Sequence, residues 1–395
     1  NADWSLGAFS TTTGFPSCVS FFEQRLVFAA SINNPQTVYF SKSGDYENMD
    51  ANIGGTVADD DAIIYTIASN QVNAIRFMSS ARTLIIGTAG GEFVVSGGGD
   101  NNAVTPTNIM IKKQSNHGAA NVDAISVGNA TLFLQRAKRK IRELAYNFDV
   151  DGYIAPDLTI LAEHITEGNI VEMAYQEEPL AIIWCVRGDG QLIALTYQRE
   201  QEVVAWHRHI IGGSFGTGNA VVESVAVIPT EDSEYELYVV VKRTINNITR
   251  RYVEYLHTFN FTETDNTSFN YLDSQLSLSK LQTTLTAGIN AAVTTVPVAS
   301  VSGLSTAGKI KIGGEIIAYT GISNLNLTGC TRGQNVTTAV AHLSGAVTKE
   351  VVNTISGLNH LEGQTVSILA DGATHPTKVV DANGAITLDR FATDV

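Results

Sequence analysis

The chain of 395 residues is 44% hydrophobic, enough to bury a sizeable core in two or three domains. Only 16% of residues are charged and the net charge is −14, an acidic balance that argues against a conventional DNA-binding module. No run approaches the ~20 apolar residues needed to cross a bilayer, so no membrane-spanning segment is predicted.

Read from the N-terminus, the sequence repeats a pattern. A leading apolar strand precedes a stronger strand, a hairpin signal and a third strand. It occurs as "CVSFFEQRLVFAA", "VNAIRFMSSARTLIIGTAGGEFVVSG", "VDAISVGNATLFLQRAKRKIRELAY", "IVEMAYQEEPLAIIWCVRGDGQLIALTY" and "VESVAVIPTEDSEYELYVVVKRTINNITRRYVEYL". The leading strands centre near Ser20, Ile75, Ile125, Met173 and Val225, a spacing of about fifty residues. Gly90-Gly91, Asp189-Gly190 and Asn246-Asn247 fall at matching hairpins, and such pairs tolerate positive φ.

Meanders of this length are the signature of propeller blades, whose faces are buried only by neighbouring blades. That explains "AIIWCV", apolar without alternation. The expected fold is all-β: a β-propeller-like platform of five or six meander blades over 1–260, plus small β domains. Gly44–Asp61, or chain beyond the two ends, would complete a sixth blade; a tandem of β-sandwiches is the structural alternative. A polar connector spans 261–280, and a nearly uncharged Thr/Ala/Gly/Val-rich stretch predicts a separate β module over 281–350. Residues 351–395 offer three more strands, punctuated by Asp371-Gly372 and Asn383-Gly384, and are read as an additional β segment of the main body. The chain begins without Met or a secretory signal and stops abruptly after "DRFATDV", so both ends are read as cuts from a longer polypeptide.

Charge is unevenly spread. Residues 281–395 carry six Lys/Arg and seven Asp/Glu, against 19 and 32 in residues 1–280. Cys18, Cys185 and Cys330 are an odd, scattered set, which argues against a disulfide framework or a cysteine-rich zinc site.

Candidate sites are few. His207 and His209, alternate residues of "AWHRHIIGG", would share one strand face as a metal pair does, but the other histidines have no helpful spacing. The structural reading puts Trp206 between blades and the imidazoles along a blade edge or a subunit contact. "NFDVDGY" sets Asn147, Asp149, Asp151 and Gly152 at EF-hand-like positions, but Leu158 stands where a bidentate Glu is required, so an Asx-capped turn fits better. Asp59-Asp60-Asp61 reads as a solvated turn before a strand in preference to a cation site. The Gly-rich "SGGGDNN" at 96–102 opens no helix and reads as a loop. No nucleophile motif is present, and the six N-x-[ST] sequons are expected by chance in so Thr/Asn-rich a chain. No catalytic, cofactor-binding or metal residue is therefore predicted. Two basic clusters stand out on the acidic body: Arg136, Lys138, Arg139, Lys140 and Arg142 beside one hairpin, and Lys242, Arg243, Arg250 and Arg251 flanking another. Together they form a candidate docking rim for an acidic partner or another copy of the subunit.

Long ordered blocks carry a resemblance. "GFPSCVSFFEQRLVFAASINNPQTVYFSKSGDYENM", "DDDAIIYTIASNQVNAIRF", "GTAGGEFVVSGGG" and "MAYQEEPLAIIWCVRGDGQLIALTYQREQEVVAWHRH" look like the tail tubular protein B, or nozzle, family of short-tailed bacteriophages. The likeness continues through "RRYVEYLHTF" and resumes at "GLNHLEGQTVSILADG". The intervening 281–350, with "IKIGGEIIAYTG" and "LTGCTRG", resembles a module inserted in assorted phage virion proteins.

The resemblance implies a non-enzymatic virion tail protein without cofactor. It would form a homo-oligomeric ring, usually a hexamer, below the portal and adaptor proteins and in contact with tail-fibre or tail-tip proteins. The ring would form the channel for genome ejection, and DNA would pass through it without specific binding. On that reading an acidic lumen lets the duplex slide, because no phosphate is neutralised there. The alternative expectation, from a different class, is a glycan-binding or glycan-cleaving tail propeller.

Overall fold

The computed structural model describes residues 7–52, 55–68, 73–98, 103–231, 234–256 and 275–395. Most of the predicted connector, through residue 274, lies outside them, as do residues 99–102 of the Gly-rich loop.

The protein is all-β. Strands β1 (Pro16–Phe22), β2 (Arg25–Ser31), β3 (Thr37–Phe40) and β4 (Ile63–Thr66) form an antiparallel sheet in chain order. The next sheets are β5 (Ile75–Ser80), β6 (Leu84–Thr88), β7 (Gly91–Gly97) and β8 (Ile109–Ser115), then β9 (Ile125–Val127), β10 (Ala130–Leu134), β11 (Ile141–Asn147) and β12 (Gly152–Ile154). A fourth holds β13 (Ile170–Gln176), β14 (Ile182–Arg187), β15 (Leu192–Gln198) and β16 (Val203–His209). After a short hairpin of β17 (Ser214–Phe215) and β18 (Gly218–Asn219), a three-stranded sheet follows of β19 (Val221–Pro229), β20 (Tyr235–Ile245) and β21 (Ile248–Leu256). All five predicted leading-strand centres fall within β1, β5, β9, β13 and β19.

These sheets follow one another as blades do. The first strands of successive sheets are neighbours: β1 beside β5, β9 beside β13, β13 beside β19. Ser79 Oγ on β5 lies 3.2 Å from Ser126 Oγ on β9, and Ser224 Oγ donates to Glu172 Oε1 at 3.0 Å between β19 and β13. The cores lie between sheets. Val27, Phe40, Leu84, Ile86 and Val95 pack the first pair, Phe77 and Phe133 the second, and Leu132, Ile165, Ile183 and Tyr197 the third. A middle strand flanked on both faces has no solvent side, which is why every residue of β6 and β10 is buried and "IIWCV" in β14 does not alternate.

The close packing shows at Gly87, where a Cβ would meet the Phe77 ring at 2.0 Å. Hairpin chemistry also follows the sequence: Gly190, Asn246 and Asn247 take φ of 85°, 49° and 61°. Gly44–Asp61 builds no further blade. It connects β3 to β4, and Ala62 N returns to Asp50 O.

The chain divides into two compact units whose limits differ from the composition-based boundary at 260. One comprises residues 1–210, 221–241 and 253–256; the other comprises 211–220, 242–252 and 257–395. Among the described residues the second unit shows two cores. Leu285, Val296, Ile310, Ile317 and Leu327 fill the inserted module, while Ile355, Leu358, Ile386 and Leu388, with Leu278 and Val352 against them, fill the C-terminal part. One strand joins them. In Val347–Ile355, residues 347–351 pair with Gln282–Thr284 and Gly308–Ile312, whereas Val352, Thr354 and Ile355 pair with Ile386–Ala392. The predicted boundary at 350 therefore falls inside a strand. No helix among the described residues is long and apolar enough to cross a membrane.

Candidate docking surface

The histidine pair is built into β16, the last strand of its sheet. His207 Nδ1 and His209 Nε2 share a 2.8 Å hydrogen bond, and His207 Nε2 lies 3.2 Å from Thr196 Oγ1. Both nitrogens of His207 are thus engaged within the protein. The rings lie against buried Trp184, whose centroid is 5.0 Å from that of His209. Trp206 projects the other way, packs with the apolar residues of the third and fourth sheets, and donates from Nε1 to Leu158 O at 2.9 Å. No group of three metal-ligating side chains gathers among the described residues.

The acidic motifs are tied up locally. Asn147 Oδ1 accepts the Asp149 and Val150 amides at 2.9 and 3.3 Å, closing an Asx turn, and Tyr146 donates to Asp151 at 2.6 Å. At the Asp59–Asp61 triplet the buried Arg25 guanidinium donates to four carbonyls, Ser41 and Asp61 at 2.7 Å, Asp59 at 2.8 Å and Asp60 at 3.4 Å. A cation would face that positive charge. Lys42 pairs with Asp61 at 2.8 Å and, with the Ala58 amide, holds its carboxyl below the usual carboxylate range.

The sequence signatures of the inserted module meet in a buried clamp. Glu315 receives Arg332 through two bonds of 2.8 and 2.7 Å, His342 at 2.9 Å, and the Gly333 and Val340 amides at 3.0 and 3.1 Å. Burial alone would raise the Glu315 pKa. These donors outweigh burial and bring it to about 2. The three free cysteines have thiols raised first of all by burial, which makes them poor nucleophiles.

The basic clusters are only partly available for docking. Lys140 bridges Asp157 and Glu163 at 2.8 and 3.0 Å, and Arg142 donates to Gln135 Oε1 and Ala155 O at 2.8 and 2.7 Å. Arg136 and Arg139 are exposed and Lys138 is half-buried. In the other unit Lys242 lies 4.4 Å over the Phe215 ring, while Arg250 and Arg251 are exposed.

Arg243 corrects the sequence reading. It is 1% exposed and donates to Gly212 O at 2.8 Å, so it presents no charge to a partner. A signal was there: Leu237, Val239, Val241, Arg243 and Ile245 are alternate residues of β20 and all face inward. Sequence reading missed Ile160 and Leu161, exposed at 69% and 92% in the loop that Lys140 anchors. Nothing in their local pattern marks them as outward-facing.

No family model and no curated protein matches the chain. Solved structures with some likeness include the β-propeller domain of Cps50 (Swd1) from Myceliophteria thermophila, at 12% identity over 85% of this chain and 96% of that one, with a TM-score of 0.35. Raptor from Chaetomium thermophilum matches at 10% identity over 85% of this chain and 28% of its own, with a TM-score of 0.37. An auxiliary nutrient binding protein from Bacteroides thetaiotaomicron matches at 9% identity over 64% of this chain and 59% of that one, with a TM-score of 0.34. Superpositions this loose carry no functional weight. The fold assignment stands on the order and adjacency of the sheets.

Proposed function

We propose that the chain is a structural subunit of a virion tail, assembled as a ring below the portal and adaptor and forming the conduit for genome ejection. The observation that carries this reading is the run of five meander sheets with neighbouring leading strands, coinciding with the long sequence blocks that resemble nozzle proteins. The side chains best suited to chemistry support it. The histidine pair, the aspartate triplet and Glu315 each serve a local structural bond. In this reading the protein is a scaffold and not an enzyme, and the inserted module is an accessory.

Electron-microscopy class averages of the purified full-length protein test it. Copies arranged about an open axial channel, six-fold if the family pattern holds, are the expected result. A monomer or a peripheral trimer that cleaves a glycan would replace this reading with that of a tail propeller acting on host sugars.

A further inference from the structure

In the first unit a group of carboxylates unpaired among the described residues and one basic hairpin tip lie at opposite ends of the sheets. In an up-and-down sheet, the first and third connections emerge at one end and the second at the other. The Arg199 side chain of the β15–β16 turn donates to Asn129 of the β9–β10 turn at 2.6 Å, so these connections of adjacent sheets share an end. The same end carries Glu177 and Glu178 after β13, Glu200 and Glu202 before β16, and Glu231 and Glu234 between β19 and β20. The acidic loops are fastened together: Tyr235 N donates to Glu178 O at 3.2 Å, and Gln176 Nε2 donates to Tyr235 O at 2.5 Å. None of these six carboxylates has an ion pair among the described residues. Leu180 lies among them, 44% exposed.

The opposite end of the third sheet carries the β10–β11 hairpin, where Arg136, Lys138 and Arg139 have no ion pair among the described residues. Ile160 and Leu161 stand beside this tip. Their loop is held to it by Lys140, which bridges Asp157 and Glu163, and by Leu158 N bonding to Ile141 O at 3.0 Å. The apolar pair is presented rigidly, so little ordering cost remains for binding.

We propose that this basic, apolar tip docks on the carboxylate-rich end of a second copy, Arg136 and Arg139 facing Glu177 and Glu178, with Leu161 against the surface around Leu180. The two patches lie at opposite ends of the sheets and cannot meet within one subunit. Between copies they form a heterologous, head-to-tail contact, which closes into a ring when the rotation from copy to copy completes a circle and runs on as a filament when it does not. The proposal rests on the ring-subunit reading and names the surfaces by which its subunits join.

The test uses the full chain and native mass spectrometry over a range of concentrations and salt. Arg136→Glu/Arg139→Glu and Glu177→Arg/Glu178→Arg should each weaken assembly by at least about tenfold, with thermal melting unchanged. Leu161→Ser should weaken it too. The four changes combined in one chain should restore assembly, because every contact is then reversed on both sides. Assembly unaffected by either reversal would overturn the proposed contact and leave the ring reading intact. A wild-type protein that is monomeric throughout would defeat both. If assembly survives but Arg136→Glu/Arg139→Glu abolishes co-sedimentation with phosphatidylserine vesicles, the tip serves an anionic lipid surface and the proposal falls.

Discussion

At the scale of single residues, buried charge separates features that stabilise from features that cost. Glu315 is surrounded by donors on both oxygens. Glu92, wholly buried in β7, is different: Ser115 Oγ donates to Oε2, and Oε1 has no hydrogen-bond partner among the described residues. Burial raises its carboxyl above the ordinary range despite Ser115 and the His117 and Gly118 amides. The folded state therefore binds this proton more tightly than the unfolded chain does. The resulting penalty is absent below the unfolded carboxylate pKa of ~4.3 and grows as pH rises past it. Glu92→Gln is expected to leave the urea midpoint unchanged near the acid end. At mildly alkaline pH it should raise stability by on the order of 1 kcal/mol. Equal stability of the two proteins across that whole pH span would refute this account. Arg243 shows what the sequence made legible at this scale: its inward position follows from strand alternation, yet its charge drew it into a surface cluster. Gly212 O, which makes its burial tolerable, comes from 31 residues earlier in the chain.

At the scale of elements, the five leading strands and their hairpins were readable because alternation, β-branched residues and turn pairs are local signals. Boundaries were not. Gly44–Asp61 looks like weak blade material, and only its non-local bonds, Arg25 to Asp59 O among them, identify it as a connection. The limit at residue 350 lies beside the change of pairing partners at 351–352, yet a single strand runs through it, so it divides two cores without ending an element. Pairing also shows how the inserted module is attached. Glu350 N bonds to Leu281 O at 3.1 Å, so its two ends are adjacent, and Leu278 and Val395 exchange backbone bonds of 2.8 and 2.9 Å outside it. Replacing residues 282–349 by a short Gly/Ser linker is expected to leave the C-terminal core folded. Limited proteolysis should give a resistant 351–395 segment in both proteins; rapid cleavage there in the excised form would show that the core depends on the module.

At the scale of the whole molecule, a net charge of −14, with 39 acidic residues against 25 basic ones, predicts poor retention of duplex DNA. Gel-shift measurements at physiological salt are expected to show no stable complex. Tight, sequence-independent binding that fades steeply with salt would mean that the assembled surface neutralises phosphates, contrary to a sliding conduit. The candidate surface was only partly visible in sequence for the same reason: a basic cluster can be counted, but the apolar pair beside it and the carboxylates at the far end are brought into relation by sheet topology alone.

Blades and inserted module also differ in how they can be inherited. The second and third sheets each supply side chains to the cores on both of their flanks, so deleting one leaves two neighbours uncovered at once. The module keeps its own core and leaves the chain where it came in. A single recombination event suffices to gain or lose it, whereas the platform can change only by gradual substitution.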